Sequence, residues 1–130
     1  MYRISVEKSF SAAHLLPDHP GKCRQLHGHN WRVRVTAAAA TLDQQGMVVD
    51  FSVLKRALAE VCDQFDHRLL NELPLLAGVV PTAEHLCRII HGELARRLDD
   101  GRVRIALVQI WETPDNCAEF VPAGGGEGQP

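Results

Sequence analysis

The sequence predicts an α+β fold in which two helices cover one face of an antiparallel sheet. Two stretches near the start of the chain and two near its end alternate apolar and polar residues, which is the period of a β-strand. Between them lie two stretches whose apolar residues recur every three or four positions, which is the period of a helix. The order strand, strand, helix, helix, strand, strand therefore predicts four antiparallel strands with both helices on one side.

The first two strands are predicted from the first third of the chain. Residues 2–10 alternate apolar with polar or charged side chains. Residues 27–41 form a longer strand whose apolar face also carries His27 and His29. The alanine run at 37–40 favours a helix by intrinsic propensity, but it continues an alternating stretch, so we extend the strand through it.

Both helices are predicted from an N-cap residue followed by an apolar stripe. Asp50 begins the first helix and Thr82 the second, because their side-chain oxygens can accept hydrogen bonds from the first turn. The stripes are Phe51, Leu54, Leu58, Val61 and Phe65, and then Leu86, Ile89, Ile90, Leu94 and Leu98. His85 and His91 of the second helix are expected to be exposed or partly packed.

A hairpin is predicted to complete the sheet, with strands at 103–112 and 117–121 around a turn. The first of these strands is apolar on both sides. One side carries Val103, Ile105 and Leu107, and the other carries Ala106, Val108 and Ile110. Because the helices cover only one face, the second apolar side predicts association with other copies of the chain.

The composition is that of one folded domain: 130 residues, of which 45% are hydrophobic and 23% charged. Residues 1–121 are expected to form this domain and the Gly-rich residues 122–130 a flexible tail. A net charge of -2 provides no excess positive charge for a nucleic-acid partner. No apolar run approaches the ~20 residues of a membrane span, and the first residues lack an export signal, so no membrane partner and a cytoplasmic location are expected.

The four cysteines are not spaced as a disulfide framework or a CxxC pair, so they are expected to be thiols in a reducing compartment. Cys62 and Cys87 lie within the helical apolar patterns, where a free cysteine is usually a small buried hydrophobic residue. Cys23 alone has polar neighbours that can bind a metal ion.

The strongest chemical signal is the segment Cys23-Arg24-Gln25-Leu26-His27-Gly28-His29. Two histidines separated by one residue point to the same face of a strand, so both can bind one metal ion. With the upstream His14 and a nearby thiol, this donor set suits Zn²⁺. Cys23 is either the fourth ligand of a closed structural site or a free thiol beside an open catalytic site. The plainest alternative is a set of ordinary surface histidines beside a buried cysteine.

Two further polar groups could take part in chemistry. Asp66 and His67 are adjacent, and a carboxylate that orients an imidazole makes a proton-transfer unit. Glu112 ends an apolar strand, and its two acceptor oxygens match a pair of N–H donors on a pterin or guanine. Each also has a plainer interpretation, as a helix-end pair and as a solvent-exposed strand end.

Together these motifs resemble the 6-pyruvoyl-tetrahydropterin synthase family. They are F-S-A-A-H at 10–14, C-x3-H-G-H-N at 23–30, G-M-V-V-D-F-S-x-L-K at 46–55, F-D-H at 65–67, P-T-A-E at 81–84 and W-E-T at 111–113. The resemblance covers residues 2–121. The three residues between the cysteine and H-G-H are similar to the 6-carboxy-tetrahydropterin synthases of queuosine and 7-deazapurine biosynthesis, whereas the pyruvoyl-forming branch typically has five.

The resemblance implies the tunnelling fold, in which sheets from several subunits join into a barrel, usually as a homohexamer. It also implies roles for seven residues. These are His14, His27 and His29 as Zn²⁺ ligands, Cys23 as general base, Asp66 and His67 as proton relay, and Glu112 as the pterin anchor and a further relay member. A neighbouring chain is expected to supply Asp66 and His67 to the zinc pocket. The resemblance implies no role for Asn30.

The implied activity is that of a zinc-dependent lyase. It would convert 7,8-dihydroneopterin triphosphate to 6-carboxy-5,6,7,8-tetrahydropterin, acetaldehyde and triphosphate. Two alternatives stay open. One is a related enzyme that stops at 6-pyruvoyl-tetrahydropterin. The other is a non-catalytic zinc module closed by one cysteine and three histidines, which leaves Asp66, His67 and Glu112 without a function.

Overall fold

A five-stranded sheet with two helices on one face forms the body of the protein. The computed structural model describes residues 1–124, so residues 125–130 of the predicted tail lie outside the described part. The strands are β1 (Tyr2–His14), β2 (His27–Ala39), β3 (Arg68–Leu69), β4 (Arg104–Thr113) and β5 (Asn116–Phe120), and the helices are α1 (Phe51–Asp63) and α2 (Ala83–Leu98). The spatial order of the strands is β3-β1-β2-β4-β5. The α+β prediction is confirmed.

The long pair β1 and β2 is the centre of the sheet. The two strands are antiparallel and in register from Tyr2 opposite Ala39 to His14 opposite His27. The alanine run is a strand as predicted, although the strand ends at Ala39 rather than Thr41. Sheet pairing and complete burial of Ala37 outweigh the intrinsic helix preference of alanine, which amounts to only about 0.7 kcal/mol per residue or less.

The sheet has five strands rather than the four predicted, because β3 adds a two-residue edge strand. Ala12 and Ala13 of β1 pair with Arg68 and Leu69 of β3, and the two strands run parallel. A two-residue strand carries no alternation that a sequence pattern could reveal. The sheet of one chain is open, and its edges are β3 and β5.

A β-bulge in β4 explains why this strand is apolar on both sides. Thr36 pairs with Leu107, but the next residue of β2, Ala37, pairs with Ile105, so Ala106 is an extra residue. An extra residue shifts the alternation by one position. The helix-covered core therefore receives Val103, Ile105, Val108 and Ile110. The second side of β4 is therefore less apolar than simple alternation suggested, and self-association stays a prediction.

The helix starts were predicted correctly. The Asp50 carboxylate accepts a hydrogen bond from Ser52 N, and the Thr82 hydroxyl accepts one from His85 N. Most of both stripes is buried against β1, β4 and β5, although Phe51 is exposed. Neither helix of residues 1–124 is both long and apolar enough to cross a membrane.

Two local predictions need correction. His91 is buried rather than exposed, and its Nε2 lies 2.8 Å from the carbonyl oxygen of Ile105. This bond lets a buried imidazole satisfy one of its polar atoms. The apolar stretch Met47-Val48-Val49 predicts a short extended segment, but Val48 and Val49 form bends and none of the three residues is in a strand.

Candidate metal centre and active site

Three imidazoles meet at one end of the β1–β2 pair. His14 lies directly opposite His27, and Ala12 lies opposite His29, so all three histidines occupy the helix-side face. The ring centroids are 4.5 Å apart for His14 and His27, and 4.8 Å apart for His27 and His29. Strand β1 continues four residues beyond its predicted end, and this extension brings His14 to the pair.

Backbone carbonyls orient two of the three rings. The Nδ1 atom of His14 lies 2.8 Å from Pro81 O, and the Nδ1 atom of His27 lies 2.7 Å from Gln25 O. A carbonyl oxygen can only accept a hydrogen bond, so Nδ1 carries the proton and Nε2 of the neutral ring keeps its lone pair. A histidine held through one nitrogen in this way presents the other to a metal ion. Pro81 precedes the start of α2, which is how the P-T-A-E motif contributes to the site.

Glu112 of β4 completes a four-residue donor group. Its Oε1 lies 2.8 Å from His29 Nε2 and 3.4 Å from His14 Nε2. Both nitrogens are buried, and among residues 1–124 neither has a partner of good hydrogen-bond geometry. In the tautomer that Pro81 selects, the lone pair of His14 faces a carboxylate oxygen, an arrangement that a cation between them would stabilise.

The donor group fits a divalent metal ion. One ligand atom from each of His14, His27, His29 and Glu112 lies within 4.8 Å of the other three. Three imidazole nitrogens with a carboxylate or an exchangeable fourth position are typical of a zinc site. Burial lowers the pKa of His29 below its ordinary value, and the neighbouring histidines add to this effect while Glu112 opposes it. A lowered pKa keeps the imidazole neutral, as a metal ligand must be.

Cys23 lies beside this group rather than within it. The residue sits on a short 3₁₀ turn, Lys22–Arg24, and is partly exposed. It lines a cavity of about 560 Å³ together with His27, His29 and Glu112. Within residues 1–124, the four-residue donor group does not include this thiol. The geometry favours the open-site interpretation, in which the thiol faces the same cavity as the histidines without joining them.

Asp66 and His67 form a hydrogen-bonded pair at the other side of β1. The distance from Asp66 Oδ2 to His67 Nδ1 is 2.9 Å, and the second oxygen of Asp66 accepts a bond from Ser11 N. The hydrogen bond from Ser11 N lowers the pKa of Asp66 most, and the bond to His67 lowers it further. His67 has a φ of 57°, in the left-handed region, which a non-glycine residue seldom adopts. Backbone strain of this kind clusters at functional sites.

The Asp66–His67 pair and Cys23 face different cavities in one chain. His67 lines a separate cavity of about 530 Å³, and Cys23 does not line it. Of the predicted site residues, the structure brings together the three histidines and Glu112, places Cys23 next to them, and sets Asp66 and His67 apart.

Sequence reasoning missed that Glu112 approaches the histidines. The signal was available in the strand order, because the antiparallel pairing of β2 with β4 sets Arg32 opposite Trp111. One residue further along β4, Glu112 reaches the end of β2 that carries His29. Trp31 was also overlooked. Its ring lies edge-on to both His14 and His29, and its Nε1 donates to Ala12 O, so it packs beside the imidazoles.

Comparison with known proteins decides the family. A sequence model of the 6-pyruvoyl tetrahydropterin synthase family matches residues 3–123. The chain belongs to this family. A solved structure of the family, 6-pyruvoyl tetrahydropterin synthase from Caenorhabditis elegans, superposes with a TM-score of 0.81 at 28% identity, and the match covers 95% of this chain and 98% of that one.

Relatives of the family carry two names. A protein of Archaeoglobus fulgidus provisionally named 6-carboxy-5,6,7,8-tetrahydropterin synthase is 44% identical, over 90% of this chain and 93% of its own. The 6-carboxy-5,6,7,8-tetrahydropterin synthase of Synechocystis is 40% identical, over 92% and 93%. The 6-pyruvoyl tetrahydrobiopterin synthase of Dictyostelium discoideum is 38% identical, over 77% and 73%.

Proposed function

We propose that this member of the family is a zinc-dependent 6-carboxy-tetrahydropterin synthase. Its substrates would be 7,8-dihydroneopterin triphosphate and one molecule of water, and its products 6-carboxy-5,6,7,8-tetrahydropterin, acetaldehyde and triphosphate, in queuosine or 7-deazapurine biosynthesis. The observation that carries the proposal is the thiol of Cys23 beside a group of three histidines and Glu112, in a chain similar to relatives with this name.

His14, His27 and His29 would hold the metal, with Glu112 near enough to join them. Imidazole and carboxylate donors fit Zn²⁺. A bound Zn²⁺ supplies Lewis-acid polarisation of the side-chain oxygens of the substrate. The remaining chemistry falls to the protein's own side chains.

Cys23 would act as the general base that removes a proton from the side chain of the substrate. A thiol must ionise to serve as a base, and positive charge nearby favours the thiolate. Lys22 lines the same cavity and contributes such a charge. General-base catalysis of this kind is worth roughly 10²–10⁴-fold in rate.

His67 would supply or remove protons at other positions of the substrate. Its Nδ1 is 2.9 Å from Asp66, which orients the ring and stabilises its charged form. Because His67 and Cys23 line different cavities of one chain, we infer that a second copy of the chain brings its Asp66–His67 pair to the Cys23 cavity. A homohexamer and a closed barrel remain predictions from the family resemblance, and a cytoplasmic location remains a prediction from the sequence.

Glu112 would anchor the pterin ring. Its two oxygens match the paired N–H donors at one edge of a pterin. The cavity that it shares with Cys23 also contains His27 and His29, so an anchored ring would present its side chain to the thiol and the histidines.

Product identification tests the proposal. The zinc-loaded protein is incubated with 7,8-dihydroneopterin triphosphate, the pterin product is identified by mass spectrometry, and acetaldehyde is measured by reduction with alcohol dehydrogenase. The proposal expects 6-carboxytetrahydropterin and acetaldehyde in equal amounts. The pyruvoyl compound as sole end product would assign the chain to the branch that the Dictyostelium relative's name represents. No turnover at full zinc occupancy would favour the structural-zinc module.

A further inference from the structure

We propose that the triphosphate group of the substrate binds in the cavity beside Arg68. This inference rests on the proposed function, because it locates the anionic end of that substrate. The cavity has a volume of about 530 Å³ and lies between the ends of β1 and β2 and the segment of β3. Because His67 also lines this cavity, the second copy that brings its Asp66–His67 pair to the Cys23 cavity would bring Arg68 with it.

The Arg68 cavity offers a positive charge without any carboxylate. Its lining residues are Ser11, Ala12, Ala13, Gly28, His29, Asn30, His67, Arg68 and Leu69. The carboxylate of Asp66, which precedes this segment, is engaged by Ser11 N and His67 Nδ1. A polyphosphate therefore meets no like charge from the lining side chains.

Arg68 itself is available to a ligand. Its side chain is exposed, and within residues 1–124 its guanidinium has neither an ion pair nor a hydrogen bond. By contrast, Arg32 contacts Glu7 and Arg97 contacts Glu93. A planar guanidinium binds phosphate oxygens through two parallel N–H bonds, which makes arginine well suited to this ligand.

Asn30 adds a pair of oriented donors. The Ser11 hydroxyl donates to Asn30 Oδ1 over 2.7 Å, which fixes the amide with its oxygen toward Ser11. The amide nitrogen keeps two N–H donors without a partner in the described part of the chain. Space is open beside them, since a Cβ added at Gly28 would meet nothing nearer than Ala12 O at 3.9 Å.

The other two cavities at the site contain carboxylates. Glu112 lines the Cys23 cavity, and a neighbouring cavity of about 300 Å³ is lined by Glu84, Glu112 and Glu119. Carboxylates repel a polyphosphate but accept hydrogen bonds from a pterin. A substrate with its ring at Glu112 and its side chain at the histidines would thus place its triphosphate at Arg68 of the second copy, the one that supplies the Asp66–His67 pair. The competing cation is Lys22, which lines the Cys23 cavity.

Binding of inorganic triphosphate to the full-length protein provides a test that needs no turnover. Calorimetry compares the wild type with Arg68→Gln, Arg68→Lys and Lys22→Gln, and the metal content of each sample is measured before and after titration. We expect Arg68→Gln to weaken binding by about tenfold or more, since the substitution removes a charge-assisted pair of hydrogen bonds to phosphate. Arg68→Lys should recover part of the affinity, and Lys22→Gln should change it less than about twofold.

Two results would overturn the subsite. One is a loss of affinity in Lys22→Gln but not in Arg68→Gln, which would place the triphosphate in the Cys23 cavity. The other is equal affinity in all four proteins. The subsite and the proposed function fail separately. Arg68-dependent triphosphate binding in a protein that forms no pterin product would leave the subsite standing. Normal product formation with an unchanged KM in Arg68→Gln would refute the subsite and leave the proposed function standing.

Discussion

Oε1 of Glu112 lies 2.8 Å from Nε2 of His29, although the two residues come from opposite ends of the sequence. The contact exists because β4 pairs with β2 and ends where the histidine motif begins. It gives Glu112 two candidate roles, as a metal ligand and as an anchor for the substrate.

His27→Ala should weaken zinc binding by more than about 100-fold. Even residues that only support metal ligands are worth about 10–100-fold in affinity, and His27 belongs to the donor group itself. Metal analysis after dialysis against a weak chelator measures the loss. His19→Ala is the matched control, because His19 is an exposed loop histidine outside the donor group. Full occupancy in His27→Ala would refute the assignment of the metal site.

Cys23→Ala should keep one zinc ion per chain but lose activity by roughly 10²–10⁴-fold, the usual range for a general base. The thiol lines the cavity without belonging to the donor group. Metal content and turnover are measured on the same preparation. Cys117→Ala, which removes an exposed thiol of β5, serves as control. If Cys23→Ala loses zinc together with the histidine variants, Cys23 is a ligand and the zinc is structural.

Glu112→Gln should retain zinc and raise KM by about tenfold or more. The amide replaces one acceptor oxygen by a donor, which opposes the N–H groups of a pterin and removes a charge-assisted bond. Metal analysis and steady-state kinetics measure the two effects separately. A protein that loses its zinc on this substitution would instead show that Glu112 is the fourth ligand.

Cys23→Ala and His67→Ala should each be inactive, and activity should return in part when they are mixed. The two side chains line different cavities of one chain, so a site assembled from two chains can combine an intact Cys23 with an intact His67. The variants are denatured, mixed, refolded and assayed, with each variant refolded alone as control. Mixed oligomers that are verified by mass but remain inactive would show that one chain contains the whole site.

Cys62 and Cys87 should resist thiol reagents in the native protein. Burial raises the pKa of Cys62 to about 12 and that of Cys87 to about 11, so neither forms thiolate near neutral pH. Thiolate is the reactive form. Colorimetric titration should therefore detect the accessible thiols Cys23 and Cys117 before Cys62 and Cys87, and all four thiols only after unfolding. Rapid reaction of four thiols in the folded protein would contradict this burial.

Local sequence patterns determine much of the site. Residue spacing alone predicts that His27 and His29 lie on the same face of a strand, because the side-chain period of a strand is a local property. The two helices and their caps are predictable for the same reason, since Asp50 and Thr82 act within one turn. Cys23 and the Asp66–His67 pair are marked by their neighbours in sequence, although their roles come from the family resemblance.

Only the tertiary structure decided how these pieces meet. The parallel edge strand β3, the bulge at Ala106 and the approach of Glu112 to His29 all depend on contacts between distant segments. A bulge shifts the alternation of a strand by one residue. The sequence of β4 therefore suggested two apolar faces, although most of its large apolar residues lie on the face that packs in the core. Sequence periodicity reports which side a residue faces within an undisturbed element, whereas strand pairing determines which side chains come into contact.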